Sequence, residues 1–281
     1  MTDTILEPRA GPDDRHHVQS MLMRESLLDK RVMASTESDV VRMLPDVHVV
    51  KVGGRSILDQ GRALTYPVVD TLGALLKGGT KLILGVGGGV RSRHVFSIGI
   101  DLGLPTGVLA QVSVADALGN AHILGTLLAP HGVVAIPPEI FGHLLPLFIH
   151  SAPGVIFNGV PPYSLWEHPP EVGRIPPHRT DAGCLILGEC FGCKSVTLVK
   201  DVDGLYTDDP RENPSASFID SIGAKELKKR QLRSLPFDEV LTDVLLNARL
   251  VRQFQVVNGR DPDRIAAAVR GEHAGTIVYA D

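Results

Sequence analysis

Two short apolar runs constrain the fold of this chain more than any other feature. VHVVKV at 47–52 and KLILGV at 81–86 each stop at glycines, a pair at 53–54 and a triplet at 87–89. Short β-branched or aliphatic runs bounded by glycine read as buried strands, and a helical pattern follows each. A strand that ends in glycine just before a helix brings backbone N–H groups and the positive helix end to one edge of a sheet. That arrangement suits an anion.

The alternation continues to the C-terminus. Helical patterns cover 63–77, with Pro67 near the first turn, and then 91–104 and 113–132. VVAIP at 133–137 and GVIFNG at 154–159 read as strands, and 181–192 as a helix closed by Gly192. A strand over 195–204, a helix over 238–251, a strand over 254–259, a capped helix over 261–271 with Pro262 at N1 and a strand over 275–280 follow. The order predicts an α/β fold, a three-layer sandwich with a mostly parallel central sheet, over 46–281. Residues 1–45 are polar without a sustained period. They are expected to form an N-terminal arm, partly helical near 18–29, that packs on a neighbouring subunit.

Charge and cysteine usage narrow the function classes. The net charge is −4 and the longest basic run is Lys228-Lys229-Arg230, so no nucleic-acid footprint is expected. No stretch reaches the roughly 18 uninterrupted apolar residues of a membrane span. Asp3, Glu7, Asp13 and Asp14 without an apolar run argue against a secretory signal. Cys184, Cys190 and Cys193 are odd in number and clustered, which predicts no disulfide framework and a cytoplasmic location. Cys190 and Cys193 have zinc or redox spacing but no second pair, so all three are expected to be buried small residues.

Chemistry concentrates in three places. Lys51 with Gly53, Gly54 and Arg55 forms a strand-to-helix turn able to cradle phosphate, with Lys51 as a point charge. Gly87 and Gly88 begin a second loop at the same sheet edge, where ligands of open α/β sheets bind. LVKDVDGLYTDDP at 198–210 delivers Lys200, Asp201, Asp203, Tyr206, Asp208 and Asp209. The lysine would neutralise phosphate charge, the carboxylates would hold Mg²⁺ or a ribose, and the tyrosine offers a face to a base. A Walker A motif is absent, and the dinucleotide glycine pattern is not present in order.

These motifs, with TDAG at 180–183 and GEHAGTIV at 271–278, follow one another as in the amino acid kinase superfamily, and the chain resembles its bacterial uridylate kinases. That resemblance implies ATP binding and adds Asp181 to the nucleotide site. Two departures stand out. The loop that usually reads GGGNxxRG is GGGVRSRH here, and the helix start that usually reads GDxMG is ADALG at 115–119, keeping Asp116 and Gly119. The acceptor half is therefore expected to be remodelled and the ATP half retained.

Residues 130–177 hold 11 of the 20 prolines and four of the 11 histidines. RHVFSIGIDLGLP, NGVPPY and RIPPHRTDAG are similar to stretches of the molybdenum storage protein family, the alpha type rather than the beta. This resemblance implies ATP hydrolysis with Mg²⁺ and molybdate- or tungstate-derived polyoxometalate clusters as cargo. It also implies a hollow hexamer of three alpha and three beta subunits. Glu139 and His143, four apart, would share a face if on a helix. Hard molybdenum(VI) takes oxygen or imidazole nitrogen, and the resemblance points to Glu139 and His150 as ligands. His143 and His168 complete the expected wall. A working uridylate kinase and an ATP-binding regulatory subunit without activity are the rival expectations.

Overall fold

The structure, a computed structural model, describes residues 41–137, 141–161 and 175–281, with 141–143 by backbone alone. Glu139, His168 and the expected arm before Val41 lie outside the described residues, as does the side chain of His143. Chain order runs β1 (Val47–Val52), α1 (Arg62–Lys77), β2 (Lys81–Val86), α2 (Gly89–Asp101), α3 (Thr106–Leu128), β3 (Val133–Ala135), α4 (Phe141–Ser151) and β4 (Gly154–Phe157). Then come α5 (Thr180–Phe191), β5 (Ser195–Lys200), β6 (Leu205–Tyr206), β7 (Phe218–Ile219), β8 (Ser221–Gly223) and α6 (Ala224–Arg230). α7 (Leu241–Asn247), β9 (Gln253–Asn258), α8 (Pro262–Arg270) and β10 (Thr276–Tyr279) complete the order.

The main sheet has eight strands in the order β3-β4-β2-β1-β5-β9-β10-β8. Six are parallel; β10 runs antiparallel to β9 and pairs in parallel with β8. β6 and β7 make a separate two-stranded hairpin. Alternation along the strands divides the apolar side chains between two faces. Val47, Val49, Ile83, Val155 and Phe157 pack with α5, whereas Val50, Val52, Leu82, Leu84 and Ile156 pack with α1, α3 and α8. Burial on both faces is why these strands read as continuous apolar runs, and each fully buried Leu or Ile contributes roughly 1.5–3 kcal/mol.

Val41–Asp281 form one compact unit. Leu44 joins the core, and the N–H groups of Met43 and Leu44 both donate to the carbonyl of Phe191, at 3.0 and 2.9 Å.

Several boundaries differ from expectation. α3 starts at Thr106 rather than 113, because Thr106, Leu109 and Ala110 are already buried. With the turn after it, α3 is long and apolar enough to cross a membrane by length and composition; here it covers the sheet, with Leu109, Leu124 and Leu128 fully buried. The helix expected over 238–251 shortens to α7, because Asp238 is drawn into the site and Ala248 turns extended. Pro67 lies inside α1, beyond the first turn. The β6–β7 hairpin, β8 and α6 were not anticipated, being too short to show a period. Cys184 and Cys193 are buried as expected but Cys190 is exposed, and all three are free.

Candidate functional site

β1 sits at the centre of the parallel strands, with β2 on one side and β5 on the other. Their C-terminal ends open into a cleft of ≈ 750 Å³. Lys51 and Lys200 enter it from the ends of β1 and β5, and Asp181 from the first turn of α5. Lys51 Nζ lies 2.7 Å from Asp181 Oδ1, and Lys200 Nζ lies 2.9 and 2.7 Å from Oδ1 and Oδ2. One buried carboxylate thus serves two buried ammonium groups.

A second carboxylate supports the first. Asp238 Oδ1 accepts from Arg179, from Nε at 2.9 Å and Nη2 at 2.8 Å. Its Oδ2 accepts from the Ala182 N–H at 3.2 Å, and its own N–H donates to Asp181 Oδ2 at 3.3 Å. Both carboxylates lie at the N-terminus of α5, where the helix dipole favours negative charge. Lys51, Lys200 and Arg179 outnumber Asp181 and Asp238 by one positive charge.

The titration behaviour follows. Burial would raise the Asp181 carboxyl, but the charges and hydrogen bonds of Lys200 and Lys51 hold it well below the usual carboxylate range. Burial works against charged Lys51, yet Asp181 outweighs it and the ammonium is held above its ordinary value. For Lys200 burial wins, aided by the charge of Lys51 and opposed by Asp181, so its pKa falls to about 8. Burial pushes the Cys184 thiol well above its ordinary value; it is a packing residue here, not a nucleophile.

The two glycine loops touch. A Cβ on Gly54 would collide with the carbonyl of Gly87 and the nitrogen of Gly89, so only glycine permits this approach. The four expected glycines divide in role. Gly53 N–H donates to Val199 O at 3.1 Å and Gly87 N–H to Val52 O at 3.1 Å, so both serve the sheet rather than a ligand. Gly54 and Gly88 line the cleft and donate to no acceptor among the described residues. Asn120 holds the second loop, donating to the Gly87 carbonyl at 2.7 Å while accepting from Arg91. Asp59 covers the outer end of α2, accepting from Val90 N–H at 2.7 Å.

Arg55, Tyr206 and Asp209 line the cleft as expected. The Tyr206 ring, in the cleft lining, meets Phe218 edge-on at 5.5 Å. Asp203 does not line it. Asp203 is drawn toward Tyr206, Asn258 and Arg264, at 3.3, 3.0 and 3.4 Å. Asp201 is held by Arg211 at 2.6 Å, and Asp208 by the Asp209 N–H and Asn213. Asp181 is engaged by its lysines.

These carboxylates do not fit a ready magnesium site, and no cluster of three His, Cys, Asp or Glu side chains able to hold a metal ion occurs among the described residues. Magnesium commonly rides on nucleotide phosphates with few protein ligands, and the acids here are spent on the loop itself. His150 lies far from all of this, in the last turn of α4 at the opposite edge of the sheet. Lys81 caps that turn, donating to the carbonyls of Ile149, His150 and Ala152 at 2.8, 3.3 and 2.8 Å.

The model of the amino acid kinase family matches residues 46–248. The chain belongs to the amino acid kinase family. Within that family it is 44% identical over 267 residues to the molybdenum storage protein subunit beta of Azotobacter vinelandii, covering 94% of this chain and 97% of the relative. That relative is of the beta type, where the sequence reading expected alpha. It is also 26% identical to a uridylate kinase of Hyperthermus butylicus, covering 82% of this chain and 96% of that protein. The uridylate kinase structure from Archaeoglobus fulgidus shares the fold, with a TM-score of 0.65, 21% identity, and coverage of 82% of this chain and 99% of that one. The expected kinase-like fold is thus borne out.

Sequence reasoning missed Arg179, Asp238 and Asn120. Arg179 stands directly before the Thr180-Asp181 pair, a usable signal. Asp238 is brought in by a long loop, and nothing local marks it.

Proposed function

We propose that this chain is an ATP-binding and ATP-hydrolysing subunit of a molybdenum store rather than a nucleotide kinase. The observation that carries this reading is the 44% identity along nearly the whole of a molybdenum storage subunit; the cleft supplies the mechanism.

The nucleotide phosphates would enter between Gly54 and Gly88, with the Tyr206 face beside the base. Lys51 and Lys200 each have three N–H bonds and donate to Asp181, which fixes their direction while leaving donors for phosphate oxygens. Charge that builds on the terminal phosphoryl group meets two ammonium groups already in place, in a site of low dielectric. Water accepts the phosphoryl group, giving ADP and phosphate.

Molybdate or tungstate is the cargo, held as condensed polyoxometalate inside a hollow cytoplasmic hexamer of this chain and a homologous partner in a three-to-three ratio. Glu139, His143, His150 and His168 are the proposed ligands of the cargo. His150 sits by Lys81 at the start of β2, whose six residues span roughly 20 Å to the glycine loop, so this ligand would act at the end of the sheet opposite the nucleotide.

A monophosphate kinase is the second reading, favoured by the 26% identity to a uridylate kinase over 82% of this chain. The test is ATP-dependent molybdenum retention beside a coupled assay with UMP. We expect retained metal that Lys51→Ala abolishes and no phosphoryl transfer to UMP; rapid transfer to UMP would reject the storage reading.

A further inference from the structure

The half of the cleft beyond the glycine loops is walled by α2 and α3. Phe96, Ile100, Ala110 and Ala117 give it apolar sides. Ser92 and Ser97 supply hydroxyls, and Arg93 reaches in from the same helix. Arg55 and Arg179 line the cleft too.

The basic groups are not equivalent. Arg179 is committed to Asp238. The Arg55 carbonyl accepts from Gln60 Nε2 at 3.1 Å, but the guanidinium groups of Arg93 and Arg55 have no hydrogen-bond or ion-pair partner among the described residues. Asp201, whose charge is felt at Arg93, is itself paired with Arg211 at 2.6 Å. Partial burial lowers the Arg93 pKa, and the charges of Arg55 and Arg179 lower it further. The charges of Arg55 and Arg179 are both felt at Arg93, and of the three guanidinium groups only that of Arg179 has a carboxylate partner.

Among the described residues no Asn, Gln or Glu lines the cleft, and its aspartates are held by Lys51 and Lys200, by Arg211, by Asn213 and by Arg179. Asp116, on the α3 segment whose counterpart in uridylate kinases helps hold the monophosphate, does not line the cleft. Guanidinium groups with serine hydroxyls on an apolar wall suit a small tetrahedral dianion.

We propose that this half-cleft is a binding site for one inorganic tetrahedral oxodianion, held by Arg93 and Arg55 with Ser92 and Ser97, beside the terminal phosphate of ATP. The inference rests on the storage reading and adds the place where the monomeric oxoanion is first met, at the sheet edge opposite His150.

Molybdate alone is the probe, titrated calorimetrically into the full-length assembly freed of cargo at about pH 8. The wild type should take one ion per chain at this site. Arg93→Gln should weaken that binding at least tenfold and leave MgATP affinity within twofold; Arg93→Lys should fall between. The Arg93 guanidinium has no side-chain partner and Arg93 is largely exposed, so the variants are expected to keep the fold, which circular dichroism and thermal unfolding check. Unchanged molybdate affinity in Arg93→Gln, or UMP binding more tightly than molybdate, would overturn the assignment. Metal storage that persists with Arg93-independent binding sinks this inference alone. Absent storage with Arg93-dependent binding sinks the storage reading and leaves an oxoanion site.

Discussion

If the cleft binds ATP as proposed, Lys200 should make that binding sensitive to pH in a defined direction. Burial and Lys51 bring its pKa down to about 8, while Lys51 stays charged. An anion that binds beside Lys200 favours the protonated form, so the bound pKa rises above the free one. Affinity is therefore full below about pH 8 and falls as pH rises toward the bound pKa. The free protein is half protonated at pH 8 and about one-eleventh protonated a unit higher, which predicts a roughly fivefold loss of affinity between pH 8 and 9. Tyr206 is raised from its ordinary value and does not titrate in this window. Lys200→Arg removes the titration, because a guanidinium stays charged. MgATP affinity by calorimetry in steps from pH 7 to 9.5 is the assay. A flat wild-type profile, or the same slope in Lys200→Arg, would refute the argument.

Further outcomes follow from the same geometry. Gly54→Ala drives a Cβ into the backbone of the Gly87–Gly89 loop; ATP binding should be lost and unfolding made easier by about 1–3 kcal/mol, read by denaturant titration. Asp181→Asn leaves two buried ammonium groups without their carboxylate, which should cost about 3–5 kcal/mol of stability and abolish hydrolysis; an unchanged unfolding midpoint would count against the shared-carboxylate description. Raising pH should release metal from an intact hexamer, since condensed oxomolybdate reverts to the dianion, and Glu139→Ala with His150→Ala should move the release to lower pH. Metal retained to alkaline pH, or found on monomers, would remove the cavity mechanism.

The parts of this molecule legible in the sequence are those where local pattern and tertiary role coincide. VHVVKV and KLILGV announce strands because both their faces are buried, and Gly192 closes α5 in a left-handed conformation that glycine adopts freely. Lys51, Lys200 and Asp181 were each visible as motif residues, but their meeting was not. It depends on β1, β5 and α5 converging across the chain from Lys51 to Lys200, and so Asp181 entered only as a member of the nucleotide site, without its two lysine partners. Gly53 and Gly87 were read as phosphate donors because a glycine does not reveal whether its N–H points outward; both point into the sheet. Asp203 was misplaced for a similar reason, since Arg264 and Asn258, far along the chain, draw it toward α8.

The central claim is that ATP turnover at the Lys51–Asp181–Lys200 cluster fills a metal store. Elemental analysis of the particle, purified from cells fed molybdate and passed through gel filtration with its mass recorded, tests it most directly. The account predicts many molybdenum atoms per oligomer in the wild type and almost none in Lys51→Ala of the same mass. Equal metal in both, or an oligomer empty of molybdenum whenever ATP is hydrolysed, would contradict it.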